Sequence, residues 1–169
     1  MTMHHIATST STTTFSFTNI PQTFTHLHIR YFNTTSSNNG GWFMRMNSDT
    51  GANYNRHILY GDGAGNAGVF NSIGATEYAG AYWGGSTSTN GPQISMTDLY
   101  DYSSTAKLKT FKTFYGNDIN GAGIVAMGGG VWRSTAAITS IDFIPAVTLG
   151  ANSRVDLYGI TNNPIATGV

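Results

Sequence analysis

Apolar and polar residues alternate along most of this chain, in short runs separated by glycine, asparagine and proline. In the run Phe24–Phe32, Leu27, Ile29 and Tyr31 occupy every second position, and the residues between them are polar or basic. A period of two is typical of a β-strand that buries one face. The sequence therefore predicts an all-β chain of about ten to twelve short strands.

The composition favours the same fold class. Gly, Thr, Ser and Asn account for 75 of the 169 residues, and Glu77 is the only glutamate, so good helix formers are scarce. Apolar residues make up 40%, which is enough for a packed core. The strand spacing indicates an antiparallel, jelly-roll-like β-sandwich. We expect one such domain over residues 13–169, preceded by an extended N-terminal arm of residues 1–12.

The charge balance restricts the partners. Eight Lys and Arg balance eight Asp and Glu, and charged residues make up only 9% of the chain. Nucleic-acid binding requires a basic stripe, and the only basic cluster is Lys107, Lys109 and Lys112, so no nucleic-acid partner is expected. No apolar stretch is long enough for a membrane span. A neutral chain lacks the charge that keeps monomers apart, which favours an oligomer.

Two glycine-rich segments are interpreted as loops. Gly63–Gly68 matches the letters of a dinucleotide-binding fingerprint, but the strand pattern Val69–Ile73 follows it, where that fingerprint requires a helix. Gly128-Gly129-Gly130 is predicted to form a turn between two strands. The chain contains no cysteine, which excludes disulfides and thiolate chemistry. No cofactor is expected.

Two side-chain pairs are candidates for chemical sites. His26 and His28 share a strand face and could hold a metal, but Arg30 on the same face opposes a cation, so a polar outward face is favoured. Asp98 and Asp101 fall on opposite strand faces and are expected to pair with Lys107 or Lys109 rather than to form a glycosidase pair. We expect no catalytic residues, no metal site and no enzymatic activity.

Two segments are candidates for partner contacts. Ile6, Thr8, Thr10 and Thr12 give the arm the β-branched content to join the sheet edge of a partner. The arm shows no alternating apolar face, so we expect it to be dispensable for folding and needed for docking.

Aromatic residues next to a polar loop supply the alternative. Tyr82 and Trp83 directly precede the polar segment 84–92 and could stack on a glycan. The other candidates, Trp42, Trp132 and Tyr78, are expected in the core or at an interface.

Four segments in order resemble a family of β-sandwich virion proteins of tailed bacteriophages. They are Phe17–Arg30, Met46–Tyr54, Trp132–Ile141 and Asp156–Ile160. The resemblance spans about residues 15–160 and brings no catalytic motif.

The resemblance implies a location and partners. It implies a non-enzymatic structural protein on the surface of the phage particle, assembled in the host cytoplasm. Its expected role is that of a homotrimeric capsid decoration (cement) protein bound to the major capsid protein. The alternative is a tail-fibre or receptor-binding module that recognises a host-surface glycan.

Overall fold

The computed structural model describes residues 1–34, 41–81, 92–118 and 123–161. Within these ranges the chain forms strands and connecting turns, with no helix and therefore no helix that could cross a membrane. The strands are β1 (Thr2–Thr10), β2 (Phe15–Phe17), β3 (His26–Asn33), β4 (Trp42–Met46), β5 (Tyr54–Gly61), β6 (Ala67–Ala75), β7 (Tyr78–Ala81), β8 (Gln93–Leu99), β9 (Lys109–Asp118), β10 (Gly123–Trp132), β11 (Ile141–Pro145) and β12 (Arg154–Thr161).

The strands form two antiparallel sheets, which confirms the predicted all-β sandwich. The large sheet has the order β1-β12-β3-β8-β9-β10-β5-β6, and the small sheet has the order β2-β11-β4-β7. The set β1-β12-β3-β8 over β2-β11-β4-β7 has the strand order of an eight-stranded jelly roll. Within this set of eight strands the chain passes back and forth between the sheets, so strands that are neighbours in a sheet, apart from β4 and β7, are not consecutive in the set.

Two hairpins are inserted into this jelly roll. The β5–β6 hairpin follows β4, and the β9–β10 hairpin follows β8. Both join the large sheet beyond β8, in the order β9-β10-β5-β6, and double its width. The large sheet therefore has a jelly-roll half (β1, β12, β3 and β8) and an extended half (β9, β10, β5 and β6).

The core lies between the two sheets and is rich in aromatic rings. Trp42 packs against Tyr31 and Phe143, with ring centroids 5.5 and 5.3 Å apart, and all three side chains are fully buried. Alternating residues of each strand enter this core, as in β3, where Leu27, Ile29 and Tyr31 are buried. The alternation read from the sequence thus places the core-facing side of this strand correctly.

The N-terminal segment differs from the expected free arm. Residues 2–10 form β1, which pairs with β12 from Thr2↔Thr161 to Thr10↔Arg154. Ile6 and Ala7 pack partly buried against the core. The pattern was missed because a bulge between His5 and Ala7 breaks the period of two, and because most of the strand's side chains face solvent. Residues 2–10 are therefore an integral strand of the jelly roll.

Candidate functional site

The outer surface of the large sheet differs between its two halves. On β1, β12 and β3 of the jelly-roll half one cross-strand row is polar: Thr8 of β1 lies opposite Asp156 of β12, which lies opposite Arg30 of β3. The Thr8 hydroxyl donates a hydrogen bond of 2.7 Å to Asp156 Oδ1, and Arg154 Nε lies 3.1 Å from Asp156 Oδ2. This part of the sheet has the ordinary character of a solvated sheet face.

The same cross-strand row becomes apolar at β8, the last strand of the jelly-roll half, and stays apolar across the extended half. It continues from Arg30 through Met96, Phe114, Met127, Leu59 and Val69, one residue from each of five consecutive strands. Ile94 and Val125 flank this row on one side, and Ile73 lies on β6 beyond the polar Asn71. We call the following eight residues the outer apolar face: Leu59, Val69, Ile73, Ile94, Met96, Phe114, Val125 and Met127. Each of them exposes between 40% and 72% of its area.

The extended half carries apolar side chains on both of its faces. In β10, Ile124 and Ala126 are buried, whereas Val125 and Met127, which alternate with them, point outward and are exposed. An antiparallel sheet with one solvated face normally alternates apolar with polar residues. Strands that are apolar on both sides are typical of a sheet covered on both sides. The sequence analysis did not identify the outer apolar face. Consecutive apolar residues in these strands, which place apolar side chains on both faces, were the feature that could have indicated it.

The three consecutive glycines lie inside β10, so the predicted turn at Gly128–Gly130 is wrong. Gly128 and Gly130 face inward, where a Cβ on Gly130 would lie 2.4 Å from Phe111 Cε2 and 2.9 Å from Tyr78 Cε2. These two glycines allow the aromatic rings to approach the sheet. Gly129 faces outward, and the nearest atom to a Cβ built there is Phe111 O at 3.7 Å.

The missing side chain of Gly129 leaves an open groove in the outer surface. The groove has a volume of about 640 Å³, and the side chains around it include His57, Leu59, Val69, Lys112 and Met127. It crosses β10, β5 and β6 at the border of the outer apolar face. Leu59, Val69 and Met127 of the face line one part of it, and the polar side chains of His57, Asn71 and Lys112 line the other.

Charged and polar groups border the face at β8 and β3. Asp98 Oδ1 lies 2.7 Å from His28 Nδ1, and Asp98 Oδ2 lies 3.9 Å from Lys112 Nζ. Arg30 donates from Nε to His28 Nε2 at 3.3 Å. Both ring nitrogens of His28 therefore contact neighbouring side chains. His26 Nδ1 accepts a hydrogen bond from the Asp101 backbone amide. Within the described ranges no group of three or more His, Asp and Glu residues could hold a metal.

Asp98 and Asp101 have separate partners. Asp101 lies in a turn and bonds to Lys107 Nζ at 2.9 Å, whereas Asp98 faces His28. The hydrogen bond from Lys107 lowers the pKa of Asp101. The expected pairing with Lys107 is present, but Lys109 is buried and bonds to backbone carbonyl groups. A catalytic acid would need a raised pKa, so the environment of Asp101 is the opposite of the one that this role requires.

The Gly63–Gly68 segment includes the turn between β5 and β6. Asp62 accepts hydrogen bonds from the backbone amides of Ala64 and Asn66 and from the side-chain amide of Asn66. Gly63 and Gly65 have positive φ angles of 70° and 92°. The segment leads into a strand, so it offers no helix N-terminus to a pyrophosphate group.

The residues assigned to the arm lie along the edge strand and just beyond it. Ile6 is partly buried against the core, Thr8 bonds to Asp156, and Thr10 lies opposite Arg154. Thr12 follows β1, and its carbonyl accepts a hydrogen bond from Leu149 N at 2.8 Å. In the described part of the chain, β12 is the only strand paired with β1. The role of Ile6, Thr8, Thr10 and Thr12 in partner binding stays a prediction.

Of the five aromatic residues that were weighed as glycan contacts, three are buried. Trp42, Trp132 and Tyr78 belong to the core, and burial raises the pKa of Tyr78 to about 12. Tyr82 and Trp83 lie outside the described residues.

Comparisons with known proteins are sparse. No protein-family model and no curated protein matches the sequence. Among solved structures, the chain is similar to an exo-inulinase from Aspergillus awamori, with 9% identity and a TM-score of 0.35. That alignment covers 95% of this chain and 29% of the inulinase chain. A protein of unknown function from Shewanella oneidensis MR-1 aligns over 95% of this chain and 71% of its own, with 13% identity and a TM-score of 0.28.

Proposed function

We propose that this chain is a non-enzymatic structural protein of a bacteriophage virion, and that it acts as a trimeric capsid decoration (cement) protein that stabilises the head shell. The observation that supports an assembly role is the outer apolar face. Eight apolar side chains lie together on one solvent-exposed surface of a chain with no net charge. Contiguous apolar patches beyond a few hundred Å² are rare on monomeric proteins and mark interaction sites.

The jelly roll offers a second surface for the shell. β1 is a sheet edge of nine residues, TMHHIATST, without Lys, Arg, Asp, Glu or Pro. Edge strands of this kind can pair with an extended segment of another protein through main-chain hydrogen bonds. In the proposal, β1 binds the major capsid protein at the particle surface, and the outer apolar face is covered within the trimer.

Binding to capsid shells that lack the protein tests this function. The purified chain is expected to bind such shells and to raise their disruption temperature. Thr10→Lys places a charge on the β1 edge and should weaken binding, because charged side chains disfavour pairing of edge strands. Thr50→Lys, at an exposed position between β4 and β5, is the matched control and should bind normally. Absence of wild-type binding would contradict the proposal.

The tail-fibre alternative depends on Tyr82 and Trp83, which lie outside the described residues, and it stays a prediction. Host-cell adsorption separates the two functions. If Trp83→Ala abolishes adsorption of the phage while the shells remain intact, the receptor-binding role is favoured over the decoration role.

A further inference from the structure

We propose that the outer apolar face is the surface through which copies of this chain bind one another. The occupant of the face is thus a second copy of the chain, and the capsid protein binds elsewhere. This inference takes only one element from the proposed function, namely that three copies of the chain associate. It follows from the size of the face, its lack of charge and its continuity with an open strand edge.

The size of the face fits a stable protein interface. Eight side chains that are half exposed on average present on the order of 500 Å² of apolar surface. A standard interface buries about 800 Å² per partner, of which about 65% is apolar in homodimers. The outer apolar face therefore supplies the apolar centre of one such interface, and the surrounding polar residues supply its rim.

The charge distribution fits a neutral partner. None of the eight residues is charged. Two cations border the face, and each contacts a side chain of the same copy: Arg30, opposite Met96, donates to His28, and Lys112 lies 3.9 Å from Asp98. A partner recognised by charge would need opposite charges within the contact surface. A second copy brings an equally neutral face, so neither copy leaves a charge buried without a partner.

The edge strand β6 carries two residues of the face, and no described element covers its open edge. Its sequence, AGVFNSIGA, contains no charged residue and no proline, and in the described ranges β5 is its only neighbour. Val69 and Ile73, the two most exposed members of the face, lie on this strand. Natural monomers normally protect a sheet edge with charge, proline or a covering element. A second copy that covers the face also covers this edge.

A trimer can use a single continuous patch. When three copies turn the same face towards a common axis, each face contacts both neighbours, and the assembly closes without leaving the patch exposed. β1 lies at the opposite edge of the large sheet from β6. The surface assigned to the shell therefore remains accessible in such a trimer.

Sedimentation equilibrium of three purified proteins tests the inference. Wild type is expected as a trimer at micromolar concentration. Met127→Lys, which adds a charge in the centre of the face, should raise the dissociation constant at least about tenfold and shift the mass towards that of a monomer. Met3→Lys makes the same change at a similarly exposed methionine on β1 and should leave the mass unchanged. Leu59→Lys serves as a second test should Met127→Lys fail to fold.

Two results would overturn the assignment. One is a wild-type protein that is monomeric throughout the concentration range. The other is a folded Met127→Lys or Leu59→Lys variant with the mass and dissociation constant of wild type. Capsid binding by a monomeric wild type would refute this inference and leave the decoration role intact. A wild-type trimer that fails to bind shells would refute the decoration role alone.

Discussion

Met127 of β10 and Leu59 of β5 are directly opposite each other on the outer surface of the large sheet, and they expose 51% and 56% of their areas. Both belong to the two hairpins that are inserted into the jelly roll. Inward-facing residues of these strands complete the core, and six outward-facing residues belong to the outer apolar face. The other two residues of the face, Ile94 and Met96, lie on the neighbouring strand β8. The insertions thus widen the sheet and add a surface suited to assembly.

The glycines of β10 allow the two faces to be tested separately. Gly130→Ala should destabilise the fold, by roughly 1–3 kcal/mol, because its Cβ would collide with Phe111 and Tyr78. Gly129→Ala has open space on the outer face, so its thermal midpoint should stay close to that of wild type. Differential scanning calorimetry of the two variants checks this difference. Equal destabilisation by both substitutions would contradict the inward and outward assignment.

Removal of β1 should lower stability. Deleting residues 2–10 removes the strand paired with β12 and uncovers the core beside Ile6 and Ala7. We expect a loss of roughly 2 kcal/mol or more in the free energy of unfolding, measured by urea denaturation. Replacing the same residues by a Gly-Ser sequence of equal length is the control for chain length and should give a similar loss. An unchanged midpoint would restore the idea of a dispensable arm.

Lys109 is a fully buried cation that connects the segment before β9 to the segment after β10 by hydrogen bonds. Its Nζ donates to the carbonyl oxygens of Ser104, Lys107 and Thr135, at 2.6, 2.8 and 3.2 Å. Burial lowers its pKa, and the charge of Asp101 opposes this effect. Lys109→Met keeps the apolar stem and leaves these carbonyls without their donor, so we expect a loss of about 2–4 kcal/mol. Lys112→Met, at an exposed position on the same strand, should cost far less in the same denaturation experiment.

Asp49 gives the fold a dependence on pH. Burial alone would raise its pKa, but hydrogen bonds from the Trp132 indole, the Asn53 side-chain amide and the Gly51 backbone amide together lower it. A carboxyl group with a lowered pKa in the folded state contributes stability above its unfolded pKa of about 4, and that contribution is lost as the pH falls. Asp49→Asn should therefore be less stable than wild type at pH 7, and the difference should shrink in urea denaturation at pH 3. A difference that is independent of pH would contradict this origin.

The sandwich could be predicted from the sequence because alternating apolar and polar residues indicate a strand with one buried face. In β3, for example, Leu27, Ile29 and Tyr31 are buried. It could not assign Gly128–Gly130, because a glycine run is compatible with a turn and also with a strand that close-packed rings approach. The strand is favoured over the turn by the rings of Tyr78 and Phe111, which pack against Gly130 and come from other strands. β1 was missed for a similar reason: the bulge at His5 and the exposed position of the strand remove the local signal.

The outer apolar face depends on long-range pairing. Three of its residues lie on different strands: Leu59 on β5, Phe114 on β9 and Met127 on β10. When each strand is considered alone, its apolar residue looks like an ordinary core residue. The neutral composition favours an oligomer, which stays a prediction, and it does not indicate which surface would take part. The strand order places these residues side by side, and that order is a property of the whole jelly roll.

The central claim is that the outer apolar face is covered by another copy of the chain. Because the chain has no cysteine, Met127→Cys and Met3→Cys each introduce one thiol, at methionines that expose 51% and 46% of their area in the isolated chain. The rate of maleimide labelling of the native protein measures whether each position is covered. The account predicts labelling of Met127→Cys at least about tenfold slower than that of Met3→Cys, with the difference abolished in urea. Equal rates for the two variants in the native protein would contradict it.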